Sequence, residues 1–103
     1  MSGAANRDNL VIINWFITKS QHELLDKLSL DGRSRSEHLR NAIDAYLGCE
    51  GVLDLEDPLV KADFSITRKQ KTAIALQAAS WGCSEAAVLR TILFYLQKKH
   101  LRK

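Results

Sequence analysis

A Thr-x-x-Gln capping box occurs twice in this chain, at Thr18-Gln21 and 49 residues later at Thr67-Gln70. In such a box the Thr hydroxyl and the Gln side chain each accept a hydrogen bond from the other residue's amide, so each box predicts a helix start. The segments VIINWFIT and KADFSIT end at the two Thr residues, and their β-branched and aromatic residues predict a short strand before each helix. A strand followed directly by a helix is therefore predicted in each half of the chain.

A second helix is predicted in each half. In the first half the preceding helix ends near Gly32, and Ser34 with Glu37 forms a further capping box. In the second half Ser84 follows the turn Ser-Trp-Gly and precedes the last helix. The second helix of the first half has apolar residues at helical spacing, namely Leu39, Ala42, Ile43, Tyr46 and Leu47.

The length of the repeat constrains the fold. A strand-helix-helix unit of about 38 residues is too small to bury a core alone, whereas two such units can share one. The matching pairs Tyr46/Tyr95 and Arg40/Arg90 are separated by 49 and 50 residues, so the register of the second unit stays open by one residue. We predict one mostly helical α+β domain in which the two strands pair into an antiparallel ribbon over four helices. Its parts are a flexible arm (1–10), the first unit (11–47), an acidic connector (48–60) and the second unit with a basic tail (61–103).

Charge is distributed unevenly along the chain. The net charge is only +3, but residues 48–60 contain four acidic and no basic side chains. Residues 61–103 contain nine basic and two acidic side chains and end in KKHLRK. This basic half favours a polyanionic partner.

Several classes of protein are not indicated. No apolar run is long enough to span a membrane, and the polar start MSGAANRDN lacks the apolar centre of a signal peptide. Cys49 and Cys83 fit neither a zinc spacing nor a disulfide framework, which favours a reduced, cytoplasmic protein. The three histidines have no carboxylate or cysteine at ligand spacing, and there is no nucleophile-base pair or glycine-rich phosphate loop. We therefore expect no metal, no cofactor and no enzymatic activity.

The pattern resembles the ribbon-helix-helix family of DNA-binding proteins, the MetJ/Arc superfamily. The resemblance rests on the first strand, Thr18-x-x-Gln21 and GRSRSEHLRNAIDAYL (residues 32–47), and it covers residues 62–96 more loosely. Family members normally form the ribbon from two chains. Two copies in one chain resemble the tandem arrangement of some conjugative-plasmid proteins of bacteria. The resemblance implies sequence-specific binding of double-stranded DNA, either to regulate transcription or to organise a plasmid site.

The resemblance also implies which residues contact DNA. The outward face of the ribbon would read base edges, with Asn14 and Lys61, from different strands, each reading a different half of a non-palindromic site. The start of the second helix of each unit would bind a phosphate, strongly in the first copy and weakly at Gly82-Cys83-Ser84, which has no arginine. The implied DNA-binding residues are Ile12, Asn14, Phe16, Lys61, Asp63 and Ser65 on the strands, and Arg33, Ser34, Arg35, Ser36 and Ser84 at the helix starts.

Two alternatives remain open. The apolar Ile12 and Phe16 on the outward face favour a protein-interaction module, and an antitoxin-like role with a toxin partner is the other. The last helix, AAVLRTILFYL, is apolar on nearly every side. A helix of this kind is buried on several sides, so either the connector residues Val52, Leu53 and Leu55 cover it or a second chain does. The second alternative predicts a homo-oligomer.

Overall fold

The computed structural model describes residues 10–49 and 58–101 of the chain. Within them the chain is α+β and mostly helical, as predicted. The described elements are β1 (Leu10–Thr18), α1 (Lys19–Leu28), a short 3-10 helix (Ser29–Asp31), α2 (Arg35–Tyr46), β2 (Leu59–Thr67), α3 (Arg68–Trp81) and α4 (Glu85–Leu101). None of the helices in these two stretches is both long and apolar enough to cross a membrane.

The two strands pair with each other in an antiparallel ribbon, which confirms the predicted pairing. The register places Leu10 opposite Thr67 at one end and Thr18 opposite Leu59 at the other. Each strand begins slightly earlier than predicted, β1 by one residue and β2 by two. The rest of the predicted arm (1–9), the central part of the connector (50–57) and the last two residues of the basic tail lie outside the described residues.

Strand residues alternate between the core and the outside. Ile13, Ile17, Phe64 and Ile66 are each 3% exposed or less, and they face the helices. Successive side chains of a strand point to opposite faces, so this inward set fixes the outward set. The predicted assignment of the two faces is confirmed.

Side-chain caps set the starts of the helices. The Thr18 and Thr67 hydroxyls accept hydrogen bonds of 3.1 and 3.0 Å from the amides of Gln21 and Gln70, and both glutamines reach back to the Thr amides. At the other end, α3 stops at Gly82, whose φ of 72° is a conformation that other residues adopt at a cost. These local residues therefore determine where α1 and α3 begin and where α3 ends.

Two buried glutamines connect the two halves of the chain. Gln21 donates from Nε2 to the Arg90 carbonyl at 3.0 Å, and Gln70 donates from Nε2 to the Arg40 carbonyl at 3.1 Å. Each capping box is thus bonded to the last helix of the other half. Around these bonds lies one core that draws on all four helices and both strands, and its fully buried members include Ile17, Leu25, Leu39, Ile43, Ile66, Ile74, Leu89, Ile92 and Leu93.

Candidate nucleic-acid interface

The outward face of the ribbon is the first part of the candidate site. All six strand residues predicted to face outward do so: five are exposed, and Ser65 is half-buried. Two of them are large apolar side chains, since Ile12 is 78% and Phe16 is 47% exposed. The face also has an amide, an amine, a carboxylate and a hydroxyl, from Asn14, Lys61, Asp63 and Ser65. These groups include both donors and acceptors.

The register sets which outward residues are neighbours. Ile12 lies opposite Ser65, and Phe16 lies opposite Lys61, so each end of the ribbon presents one residue from each strand. At the midpoint the facing pair is Asn14 and Asp63. Asn14 therefore occupies the centre of the ribbon and Lys61 lies toward one end, and which part of a DNA site each residue reads stays a prediction.

Hydrogen bonds from the helices hold the edges of the ribbon. The Ser65 amide donates to Ser36 Oγ at 2.9 Å, and Arg40 donates from Nη1 to the Ser65 carbonyl at 2.8 Å. On the other strand, Arg90 donates from Nη1 to the Phe16 carbonyl at 2.9 Å. These bonds place the start of α2 beside β2 and satisfy strand groups that the ladder does not use.

Sequence reasoning did not assign a role to Arg40 or Arg90. In the sequence, Arg40 and Arg90 are marked only by the recurrence of Leu-Arg at a spacing of 50 residues. This spacing does not indicate which groups the two arginines contact. Their partners are main-chain carbonyls on the strand of the other half. A main-chain carbonyl has no side-chain identity, so the sequence could not reveal these bonds.

The predicted phosphate site at the start of α2 combines an exposed arginine with an arginine that is already paired within the protein. Ser34 caps the helix by accepting from the Glu37 amide at 3.0 Å, and Arg33 is exposed. Arg35 donates from Nη1 to Asp26 Oδ1 at 2.9 Å, so part of its charge is already compensated within the protein. The Arg35 side chain remains 45% exposed, and its guanidinium has five N–H donors, of which this ion pair uses only part.

A carboxylate lies immediately before this helix start. Asp31 Oδ1 accepts from the Arg33 amide at 2.9 Å and lies 3.1 Å from His38 Nε2. The hydrogen bond from the Arg33 amide, followed by the contact with His38, lowers the pKa of Asp31 below its ordinary value. The acid is thus held ionised, and its negative charge lies beside the proposed phosphate position.

Two histidines are less isolated than their sequence positions suggested. His38 contacts Asp31, and His22 Nδ1 lies 3.4 Å from Asp26 Oδ2. Within residues 10–49 and 58–101, however, no group of three or more His, Cys, Asp or Glu side chains is arranged to hold a metal ion. His22 and His38 each contact one aspartate, and these single contacts do not form a set of metal ligands.

The start of α4 differs chemically from the start of α2. Ser84 Oγ accepts from the Ala87 amide at 3.1 Å, so Ser84 caps the helix as Ser34 does. The next residue is Glu85, which is paired with Lys71 at 3.1 Å, and the same ammonium lies 5.7 Å from the centre of the Trp15 ring. This end of the ribbon therefore has an acidic residue where the other end has Arg35.

Basic residues also follow both strands directly. Lys19 comes after β1, Arg68 and Lys69 come after β2, and all three are exposed. They were not among the predicted contacts.

Comparisons of the chain with protein-family models, with curated proteins and with solved structures found no match in any of the three.

Proposed function

We propose that this chain is a sequence-specific double-stranded DNA-binding protein built from two tandem ribbon-helix-helix repeats. The observation that carries the proposal is the exposed outward face of the antiparallel ribbon, which presents Asn14, Lys61, Asp63 and Ser65 together. The major groove of B-DNA admits a two-stranded ribbon, and its base edges offer donors, acceptors and thymine methyl groups. Control of transcription and organisation of a plasmid site are the two biological roles that such binding would serve.

Matching contacts in the two halves support the repeat. Thr18 and Thr67 cap α1 and α3 in the same way, and Gln21 and Gln70 bond to the carbonyls of Arg90 and Arg40. The spacing is 49 residues for the capping boxes and 50 for the two arginines. The helix α3 has 14 residues, whereas α1 with 10 residues and the short 3-10 helix with 3 residues are together one residue shorter, so the second half has one more residue before its second helix. The two halves would then be related by an approximate two-fold axis through the centre of the ribbon.

Contacts with the DNA backbone would come from the ends of the ribbon. Ser36 and Arg40 fix the start of α2 next to β2, so a phosphate beside the groove would meet the free amides of the helix and the Arg33 side chain. Lys19 and Arg68, which are exposed directly after the two strands, would add positive charge at opposite ends of the ribbon. Such contacts position the protein without reading sequence.

Gel-shift titration at several salt concentrations tests the function. Binding should weaken steeply as salt rises, because each neutralised phosphate releases counterions. Lys27→Ala is a matched control: it removes an exposed lysine outside the basic half, about 12 Å along α1 from the ribbon end by the 1.5 Å rise per residue, and should leave affinity unchanged. If no duplex is shifted even at low salt, the proposal fails.

A protein-interaction module is the second candidate, and the exposure of Ile12 and Phe16 favours it. Exposed large apolar side chains on one surface are typical of contacts between proteins. In that case Phe16→Ser would abolish partner binding or self-association, and the chain would not shift DNA. Sedimentation of the wild type and this variant, alone and with DNA, separates the two functions.

A further inference from the structure

We infer that each half of the DNA site is read by one end of the ribbon, and therefore by one residue from each strand. This inference rests on the proposed DNA-binding function and adds the kind of site that the ribbon prefers. It follows from the strand register rather than from the order of residues in the chain. The preferred duplex is an asymmetric site.

The end pairs define the two flanks of the site. Phe16 and Lys61 face each other at one end, and Ile12 and Ser65 face each other at the other. Opposite side chains in an antiparallel pair have Cβ atoms about 5 Å apart, which lets both reach the same base pair or adjacent ones. Four residues of strand separate the two ends, a distance of about 13 Å. With a rise of about 3.4 Å per base pair, the ribbon would read a core of about four or five base pairs.

The two flanks carry different chemistry. At one end the Lys61 ammonium suits the O6 and N7 acceptors of guanine, and the Phe16 ring suits a thymine methyl group. At the other end Ile12 suits a thymine methyl group, while the Ser65 hydroxyl bonds to any base. A guanine is therefore preferred on the Lys61 flank alone. A palindrome would repeat one flank sequence against two unlike ends, so it would be a poorer site.

The central pair discriminates by repulsion as well as attraction. Asp63 is an exposed carboxylate opposite Asn14. It accepts from the amino group of cytosine but is repelled by the two acceptors of guanine, whereas Asn14 pairs best with adenine. An acid at this position also weakens binding to any sequence, because it faces a negative duplex. Asp63 thus exchanges affinity for discrimination at the centre.

Selection of binding sites from random duplex DNA tests the inference. The wild type should enrich an asymmetric core, and Lys61→Ala and Phe16→Ala should both relax the same flank. Ile12→Ala should relax the opposite flank, whereas Ser65→Ala, which removes a hydroxyl that bonds to any base, should weaken binding without changing the preference there. Each discriminating contact that is lost should reduce discrimination at its position by roughly 5- to 100-fold. All four side chains face outward, so circular dichroism should show unchanged folding.

The possible outcomes are distinct. If Phe16→Ala and Ile12→Ala relax the same flank, each strand reads one half, and the inference is wrong. A palindromic wild-type consensus for one bound chain would also overturn it. If the wild type enriches no duplex and shifts none, the DNA-binding function itself fails, and the inference falls with it.

Asp63→Asn provides an independent measurement that does not depend on the flanks. It keeps the shape of the side chain and removes its charge. Affinity for random duplex DNA should rise, while the central preference for cytosine should decline. If both quantities stay as in the wild type, Asp63 does not face the bases, and the assignment of the centre is wrong.

Discussion

Gln21→Met should destabilise the fold markedly, because Gln21 links the two halves from within the core. Its side chain is fully buried, accepts from the Thr18 amide at 3.1 Å and donates to the Arg90 carbonyl at 3.0 Å. Met has a similar volume and no comparable donor or acceptor, so the substitution removes both bonds without leaving a large cavity.

The expected loss follows from the fate of the two partners. The Thr18 amide is left buried without an acceptor, which costs about 1–3 kcal/mol. The Arg90 carbonyl can still accept within α4, so losing the bond from Gln21 costs only about 0.5–1.5 kcal/mol. Together these terms give about 1.5–4.5 kcal/mol, a large part of the roughly 5–15 kcal/mol that stabilises a domain.

Urea unfolding followed by circular dichroism measures this loss. With an m-value of about 1.5 kcal/mol/M, a loss of about 3 kcal/mol lowers the midpoint by about 2 M at constant m. Gln77→Met, a half-buried site on α3, is the matched control and should change stability by less than about 0.5 kcal/mol. If Gln21→Met loses less than about 1 kcal/mol, the connection between the halves does not depend on this glutamine.

Three further predictions concern assembly, DNA contacts and pH. A fragment of residues 1–49 lacks β2, α3 and α4, so it should fold poorly or dimerise; a stable folded monomer by gel filtration and circular dichroism would refute the shared core. Arg33→Ala with Arg35→Ala should weaken binding to all duplexes similarly and flatten the salt dependence, since phosphate contacts do not specify sequence; unchanged affinity would exclude the phosphate site. The pKa of Asp31 is lowered on folding, so the ionised carboxylate stabilises the folded state at pH values above the ordinary pKa of 3.8. That stabilisation is lost as the pH falls through the lowered pKa. Asp31→Asn should therefore be less stable than the wild type at neutral pH and approach it in acid, and parallel curves across this range would contradict the role of the carboxylate.

The local features of the fold could be predicted from sequence because they depend on neighbouring residues. The boxes at Thr18 and Thr67 use atoms within three residues, so they identify helix starts without knowledge of the fold. Alternation along a strand is equally local, and it correctly separated Ile13 and Ile17 from Ile12 and Phe16. The pairing of the strands could also be predicted, since neither unit can bury a core alone.

Contacts between distant parts of the chain were decided only by the tertiary structure. Strand alternation predicts that Asn14 and Lys61 face outward, but only the register shows that Asn14 lies at the centre opposite Asp63 and that Lys61 lies toward one end. The bond from Arg90 to the Phe16 carbonyl was equally invisible, because any residue can supply a carbonyl. Periodicity fixes which face a side chain occupies, since it depends on the local backbone. Neighbours across the ribbon depend on how two remote segments align, and that alignment is set by packing of the whole core.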